Sequence, residues 1–338
     1  MAWRRTRSIW LVIFALPVLF LVLELVARHF DPYVASRRGR RNPFWQKHPT
    51  RGRCLKPGNF GSIWNVPFHV NSLGFRSPEI SKSKPRGVSR VFCMGDSITM
   101  GSGLPEYALY PAVLQKILSE RYPRKKFEVV NAGVSGYMID QELLQLKEEG
   151  LGLSPDLVVL QFTLYDPPGT SFFDHISPRR ELSIPGRQFL YDHSALARHV
   201  AMRYYLIGLN HNWLGLGDYL AMPEDSAKAR RIEAAWEEYY AKLLELDKIC
   251  RAHKIPLVVV IAPHRWQFKD RKREFRPQKK MLAFGKANEV AIIDPSPEFE
   301  AQKMFAYASA HPGAEGHAIM AELLADWISR NFFPGKPL

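Results

Sequence analysis

Residues 90–99 read Arg90-Val91-Phe92-Cys93-Met94-Gly95-Asp96-Ser97-Ile98-Thr99. The first five form a short apolar run of the kind that makes a buried strand, and Gly-Asp-Ser follows at once. A serine at a sharp strand-to-helix turn has its hydroxyl exposed, and the amides that follow it point toward an oxyanion. A serine there also suits a plain helix N-cap. Taken alone, these residues leave both readings open.

Outward from this stretch, strands and helices alternate. Apolar runs at 127–130, 157–162, 257–262 and 290–293 predict four more strands. Helical spacing appears at 110–121, 140–149, 224–253 and 313–332. Continuous Val/Leu/Ile runs separated by helices indicate a parallel sheet buried on both faces. Functional residues then belong at the carboxyl ends of the strands. The connection between the third and fourth strands is too long for one crossover. Residues 167–223, rich in aromatic and turn residues, read as a helical insertion, a natural lid or substrate-binding cap.

His311-Pro312 opens the last helix. A serine is a weak nucleophile until a base takes its proton, and histidine is the usual base. A histidine that merely caps a helix is the competing reading. The order Ser…His, with strands between, brings both to one edge of the sheet.

Together these blocks resemble the SGNH, or GDSL, hydrolase family over residues 88–333. The Gly-Asp-Ser motif is Gly95, Asp96 and Ser97. The glycine after the second strand matches Gly133, within Asn131-Ala132-Gly133-Val134-Ser135-Gly136, and the histidine block matches residues 311–317. The resemblance implies a flavodoxin-like three-layer α/β/α fold with a five-stranded parallel sheet. It implies Ser97 as nucleophile, His311 as base, the Ser97 and Gly133 amides as oxyanion donors, and His317 as structural. It implies no cofactor and no metal.

The sequence departs from the family twice. The third block, Gly-x-Asn-Asp in the family, reads Thr163-Leu164-Tyr165-Asp166, so Tyr165 stands where an asparagine supplies the third oxyanion donor. Losing one donor costs on the order of 10²–10³ in rate. The triad aspartate, three residues before the histidine, is replaced by Ala308, and disabling the acid of a triad costs about 10⁴. A Ser–His dyad held by a backbone carbonyl, or an acid from Asp294, Glu298 or Glu300, are the available compensations. The expected activity is that of a serine esterase or deacylase on an acyl ester of a glycan or lipid. An O-acyltransferase is the close variant, and a degenerate member that binds a glycan or protein partner is the alternative of another class.

The N-terminus adds a membrane expectation. A short basic tail, residues 1–8, precedes an apolar run over 9–27, near the span of a bilayer. A single-pass anchor or signal-anchor is the first reading and a cleaved signal peptide the second. Residues 28–57 read as a basic linker and 58–87 as an extended segment before the hydrolase-like domain at 88–334. The arginines after the run favour a cytoplasmic domain by the positive-inside rule, but large domains cross largely regardless of charge. The expectation is an extracytoplasmic domain.

A net charge of +14 favours anionic partners such as an acidic glycan or lipid surface. With no zinc-finger spacing and no RNA-binding aromatic motif, nucleic acid is not expected. The 3 cysteines make no disulfide framework. Asp96, His264 and Arg265 are candidate substrate-binding residues. A basic run from Lys269 to Lys280 follows the fourth strand, and suits a solvated helix face or an anionic ligand.

Overall fold

The computed structural model describes residues 2–29, 44–63, 66–164, 166, 193–197, 200, 227–264, 267, 268, 275–302 and 311–334. The chain divides into two compact units: Met1–Asn42 with Asp174–Gly215, and Pro43–Phe173 with Leu216–Leu338.

In the first unit, helix α1 (Ala2–His29) contains Arg4, Arg5, Arg7, Pro17, Glu24 and Arg28. Its apolar side chains from Phe14 to Val26 are mostly exposed. Glu24 is buried, and its carboxylate accepts four hydrogen bonds: from Ser194 Oγ at 2.7 Å, the Ala195 N–H at 2.9 Å, the Leu196 N–H at 3.1 Å and Arg28 Nε at 2.8 Å. Among the described residues, no helix is long and apolar enough to cross a membrane. The spanning anchor expected over residues 9–27 is therefore not supported. A bilayer core would have to accommodate Glu24 and its charged neighbour, which is costly. Apart from residues 193–197 and 200, the insertion read as a lid lies outside the described residues.

The second unit opens with two antiparallel hairpins, β1 (Trp45–His48) with β2 (Gly52–Leu55), and β3 (Phe60–Ile63) with β4 (Val66–His69). Residues 45–55, read from sequence as part of a basic linker, thus form ordered strands. Their core explains why: Phe44, Leu55, Phe68 and Val70 pack with Met100, Val134 and Tyr137. The stretch 70–75, directly after β4, lies outside the five-stranded sheet. It is a turn in which Asn71 Oδ1 accepts from the Leu73 and Phe75 N–H groups at 3.0 and 2.9 Å.

The five apolar runs become one parallel sheet of β5 (Val88–Met94), β6 (Lys126–Asn131), β7 (Leu157–Thr163), β8 (Leu257–Ala262) and β9 (Ala291–Ile293), in the order β6-β5-β7-β8-β9. The helices are α2 (Ser97–Met100), α3 (Tyr110–Arg121), α4 (Ile139–Gln145), α5 (Ala227–Ala252), α6 (Arg276–Asn288), α7 (Ser296–Ala301) and α8 (Ala314–Phe332). Side chains alternate across the strands with period two. Val91, Cys93, Val159, Val258 and Val260 face α3 and α8, where Leu114, Leu118, Met320 and Leu324 wait. Phe92, Met94, Leu160, Phe162 and Ile261 face α4, α5 and α6, meeting Leu143, Trp236, Leu243 and Met281. Every residue of β7 and β8 is buried. This is the three-layer α/β/α fold expected from sequence.

The topology places the site. From β5 the chain passes to β6 on one side, and β7 lies on the other. Such a switch point opens a crevice at the carboxyl ends of the strands. Ser97 follows β5 directly.

Candidate active site

Ser97 Oγ and His311 Nε2 lie 2.7 Å apart, a hydrogen bond between residues 214 positions apart in the chain. The turn before Ser97 depends on Gly95, whose φ is +154°. A Cβ at Gly95 would lie 2.3 Å from Thr99 Oγ1 and 2.7 Å from Gln161 Oε1, so no larger residue fits. Asp96 caps α2: its Oδ1 accepts from the Ile98 N–H at 2.8 Å. Its Oδ1 is thereby engaged in the turn. Burial raises the Asp96 carboxyl to about 6. His311 reaches the site from the loop before α8, and burial holds its imidazole below the ordinary value of 6.5.

A buried polar bed fixes the nucleophile turn from behind. Gln161 is the lone long polar side chain inside the apolar run of β7. Its Oε1 accepts from Thr99 Oγ1 at 3.1 Å and from the Thr99 N–H at 3.3 Å. Thr99 Oγ1 also meets Tyr110 OH at 3.1 Å. The Tyr110 N–H donates to His317 Nδ1 at 3.1 Å, and the two rings stack 6.0 Å apart. His317 is fully buried, and its pKa falls to about 3 through burial and the nearby His311 and Arg76. It is a neutral structural imidazole. The Arg76 guanidinium holds the far end of α2, donating to the carbonyls of Met100 (2.8 Å), Gly101 (2.6 Å) and Leu104 (2.7 Å).

The loop after β6 differs from expectation in one respect. The Gly133 N–H donates to Asn131 Oδ1 at 3.1 Å, while Asn131 Nδ2 donates to Thr99 O at 2.7 Å. Asn131 thus ties the loop to α2 and occupies the amide that was expected to serve the oxyanion. Gly133 has a packing reason to be glycine: a Cβ there would lie 2.2 Å from Met100 N and 2.6 Å from Thr99 C. Two residues on, the Val134 N–H donates to Gly95 O at 3.0 Å. The amides of Ser97 and Gly136 have no acceptor among the described residues.

Other expected residues are placed less centrally or not at all. His264 lies two residues after β8, buried, its backbone N–H donating to Gln267 Oε1 at 2.9 Å. Asp294, a candidate replacement acid, accepts from the Ser296 N–H at 3.0 Å and Ser296 Oγ at 2.6 Å, at the first residue of α7. Asp166 is buried and accepts from the Thr163 N–H at 2.8 Å. Burial, together with the charges of their carboxyl neighbours, pushes Asp166 and Glu142 well above the carboxylate range. Tyr165, Arg265 and Ala308 lie outside the described residues, as does the first half of the basic run, 269–274. Among the described residues, no His/Cys/Asp/Glu group is arranged to hold a metal.

Sequence reasoning overlooked Asn131, Gln161, Tyr110 and Arg76. Gln161 carried a usable sign: a polar side chain in a strand buried on both faces must find a partner.

Residues 93–319 match the GDSL-like lipase/acylhydrolase family. The chain belongs to that family. Its members cleave acyl esters, and this chain is a hydrolase of the acyl-ester-directed class. No curated protein matches it. Among solved structures, it is similar to an acetylxylan esterase from Geobacillus stearothermophilus. Identity there is 17% over 71% of this chain and 94% of the other, with a TM-score of 0.44. It is also similar to an alpha/beta hydrolase from the metagenome of Lake Arreo, Spain (17% identity, 70% and 94% covered, TM-score 0.43). A GDSL-like lipase from Bacteroides thetaiotaomicron is a third (17%, 72% and 88%, TM-score 0.35).

Proposed function

We propose that this GDSL-family chain is a serine esterase or deacylase acting on an acyl ester of a glycan or lipid. The observation that carries the reading is the 2.7 Å contact between Ser97 Oγ and His311 Nε2. In the reaction, Nε2 takes the hydroxyl proton as Oγ attacks the acyl carbonyl. The resulting oxyanion is met by backbone N–H groups, of which the Ser97 and Gly136 amides have no other acceptor among the described residues. His311 then returns the proton to the departing alkoxide, leaving an acyl-Ser97 ester. Water, deprotonated by the same imidazole, releases the acid and frees Ser97. A sugar hydroxyl in place of that water makes the reaction an O-acyl transfer.

His311 is held below its ordinary pKa by burial, so the neutral, basic form dominates near neutral pH. The exposed apolar side chains of α1 support attachment of the chain to a membrane surface. A panel of acetylated and longer-chain acyl esters of sugars and glycerol tests the activity. Turnover that disappears in Ser97→Ala supports it, and turnover that survives Ser97→Ala overturns it.

A further inference from the structure

Arg53 lies in β2, outside the residues that match the family. It is exposed, and its Nη2 donates to the carbonyl oxygen of Ser135. The contact is reciprocal along the chain, because Tyr137 OH donates to Arg53 O at 2.5 Å. Gly136, between the two, has φ +74° and no side chain. A Cβ there would lie 2.5 Å from Arg53 Nη2, so the glycine leaves room for the guanidinium. The neighbouring Arg51 is buried and paired with Glu148 and Glu149. Arg53 has no carboxylate partner among the described residues.

The Ser135 carbonyl and the Gly136 N–H belong to one planar trans peptide and so point in opposite directions. A cation fixed on the oxygen sets the plane of that peptide. It also withdraws electron density toward the oxygen, which makes the N–H a stronger donor. The N–H concerned is one with no acceptor among the described residues. The loop carrying it is tied to the nucleophile turn by the Val134 N–H on Gly95 O at 3.0 Å, two residues before Ser97.

We infer that Arg53 is a positioning residue. Through the Ser135 carbonyl it holds and polarises the 135–136 peptide, whose N–H receives the oxyanion formed when Ser97 attacks. The N-terminal hairpin thereby reinforces the oxyanion hole of a chain in which Tyr165 replaces the family asparagine. Arg53 acts through the peptide and does not touch the substrate. The inference rests on the serine-hydrolase reading above.

The test uses the full-length chain with a fluorophosphonate probe, and a neutral activated acetyl ester and its anionic counterpart as substrates. Wild type, Arg53→Ala, Arg53→Gln and Arg53→Lys are compared, with thermal unfolding of each. Arg53→Ala and Arg53→Gln are expected to lower kcat and the Ser97 labelling rate by about tenfold or more, with KM nearly unchanged for both esters. Arg53→Lys, which keeps the charge, is expected to recover part of the loss. Labelling of Arg53→Gln at the wild-type rate overturns the inference and leaves the hydrolase reading intact. So does a rise in KM confined to the anionic ester, which marks Arg53 as a substrate contact. A loss that tracks unfolding, with no recovery in Arg53→Lys, overturns it as well. A wild-type chain that never labels at Ser97 overturns both.

Discussion

Replacing Gly133 by alanine tests the packing of the loop against the nucleophile turn. The new Cβ would sit 2.2 Å from Met100 N, 2.6 Å from Thr99 C and 2.7 Å from Thr99 Cβ, where ordinary contact begins at 3.4 Å. All three atoms lie in α2, and two of them are backbone, so no flexible side-chain end can swing aside. The loop and α2 must separate by about 1 Å to relieve the closest contact. Overpacking of this kind costs about 1–3 kcal/mol. The same shift stretches the 2.7 Å Ser97–His311 contact toward the limit of hydrogen bonding. A misplacement of about 1 Å at reacting groups costs on the order of 10²-fold in rate. The assay pairs thermal unfolding with ester turnover, using Gly152→Ala as control, because a Cβ at Gly152 meets nothing within 4 Å. Gly133→Ala is expected to unfold several degrees lower and to turn over about 10²-fold more slowly, with the control unchanged. Wild-type stability and rate in Gly133→Ala would refute the close approach of loop and helix.

Further outcomes follow from charge and pairing. Because burial holds His311 below 6.5, kcat/KM on a neutral ester should fall on the acid side with a midpoint below 6.5; a midpoint above 7 would contradict its burial. His317, at about 3 in the folded chain against an ordinary 6.5, contributes stability that is full above 6.5 and is lost as pH falls from 6.5 through 3, on the order of 5 kcal/mol at most. Urea unfolding between pH 7 and pH 4 should show that loss, and His317→Gln should flatten it. Arg76→Leu leaves the carbonyls of Met100, Gly101 and Leu104 without their buried donor and should destabilise by about 3 kcal/mol or more, read from denaturant midpoints. Ala308→Asp and Tyr165→Asn restore the acid and the donor that the family uses, so the double variant should exceed either single change in esterase rate. A double variant no faster than wild type, with both folds intact, would mean that the wild-type site is built differently.

The fold was legible because its strands are buried on both faces. An uninterrupted run such as Leu157–Phe162 has few other uses, and the structure extends it by one residue to Thr163. Ser97 and His311 were legible because the chemistry of a serine nucleophile demands a base, and strand order brings the two to one sheet edge. Three features were not. The hairpin at 45–55 is written in single residues such as Phe44 and Leu55, too few for periodicity to register. The bond from the Gly133 N–H to Asn131 Oδ1 was not legible either, since the sequence shows only that the two residues share one short block. Glu24 lies inside the apolar run 9–27. Its partners Ser194, Ala195 and Leu196 are 170 or more positions away, a separation that no local pattern reveals.

The central claim is that Ser97 is a nucleophile activated by His311. Intact-mass measurement after incubation with a fluorophosphonate, followed by peptide mapping, tests it most directly. The account predicts one phosphonyl adduct on the peptide bearing Ser97, absent in Ser97→Ala and formed far more slowly in His311→Ala. An unmodified wild-type chain after long incubation, or an adduct elsewhere that persists in Ser97→Ala, would contradict it.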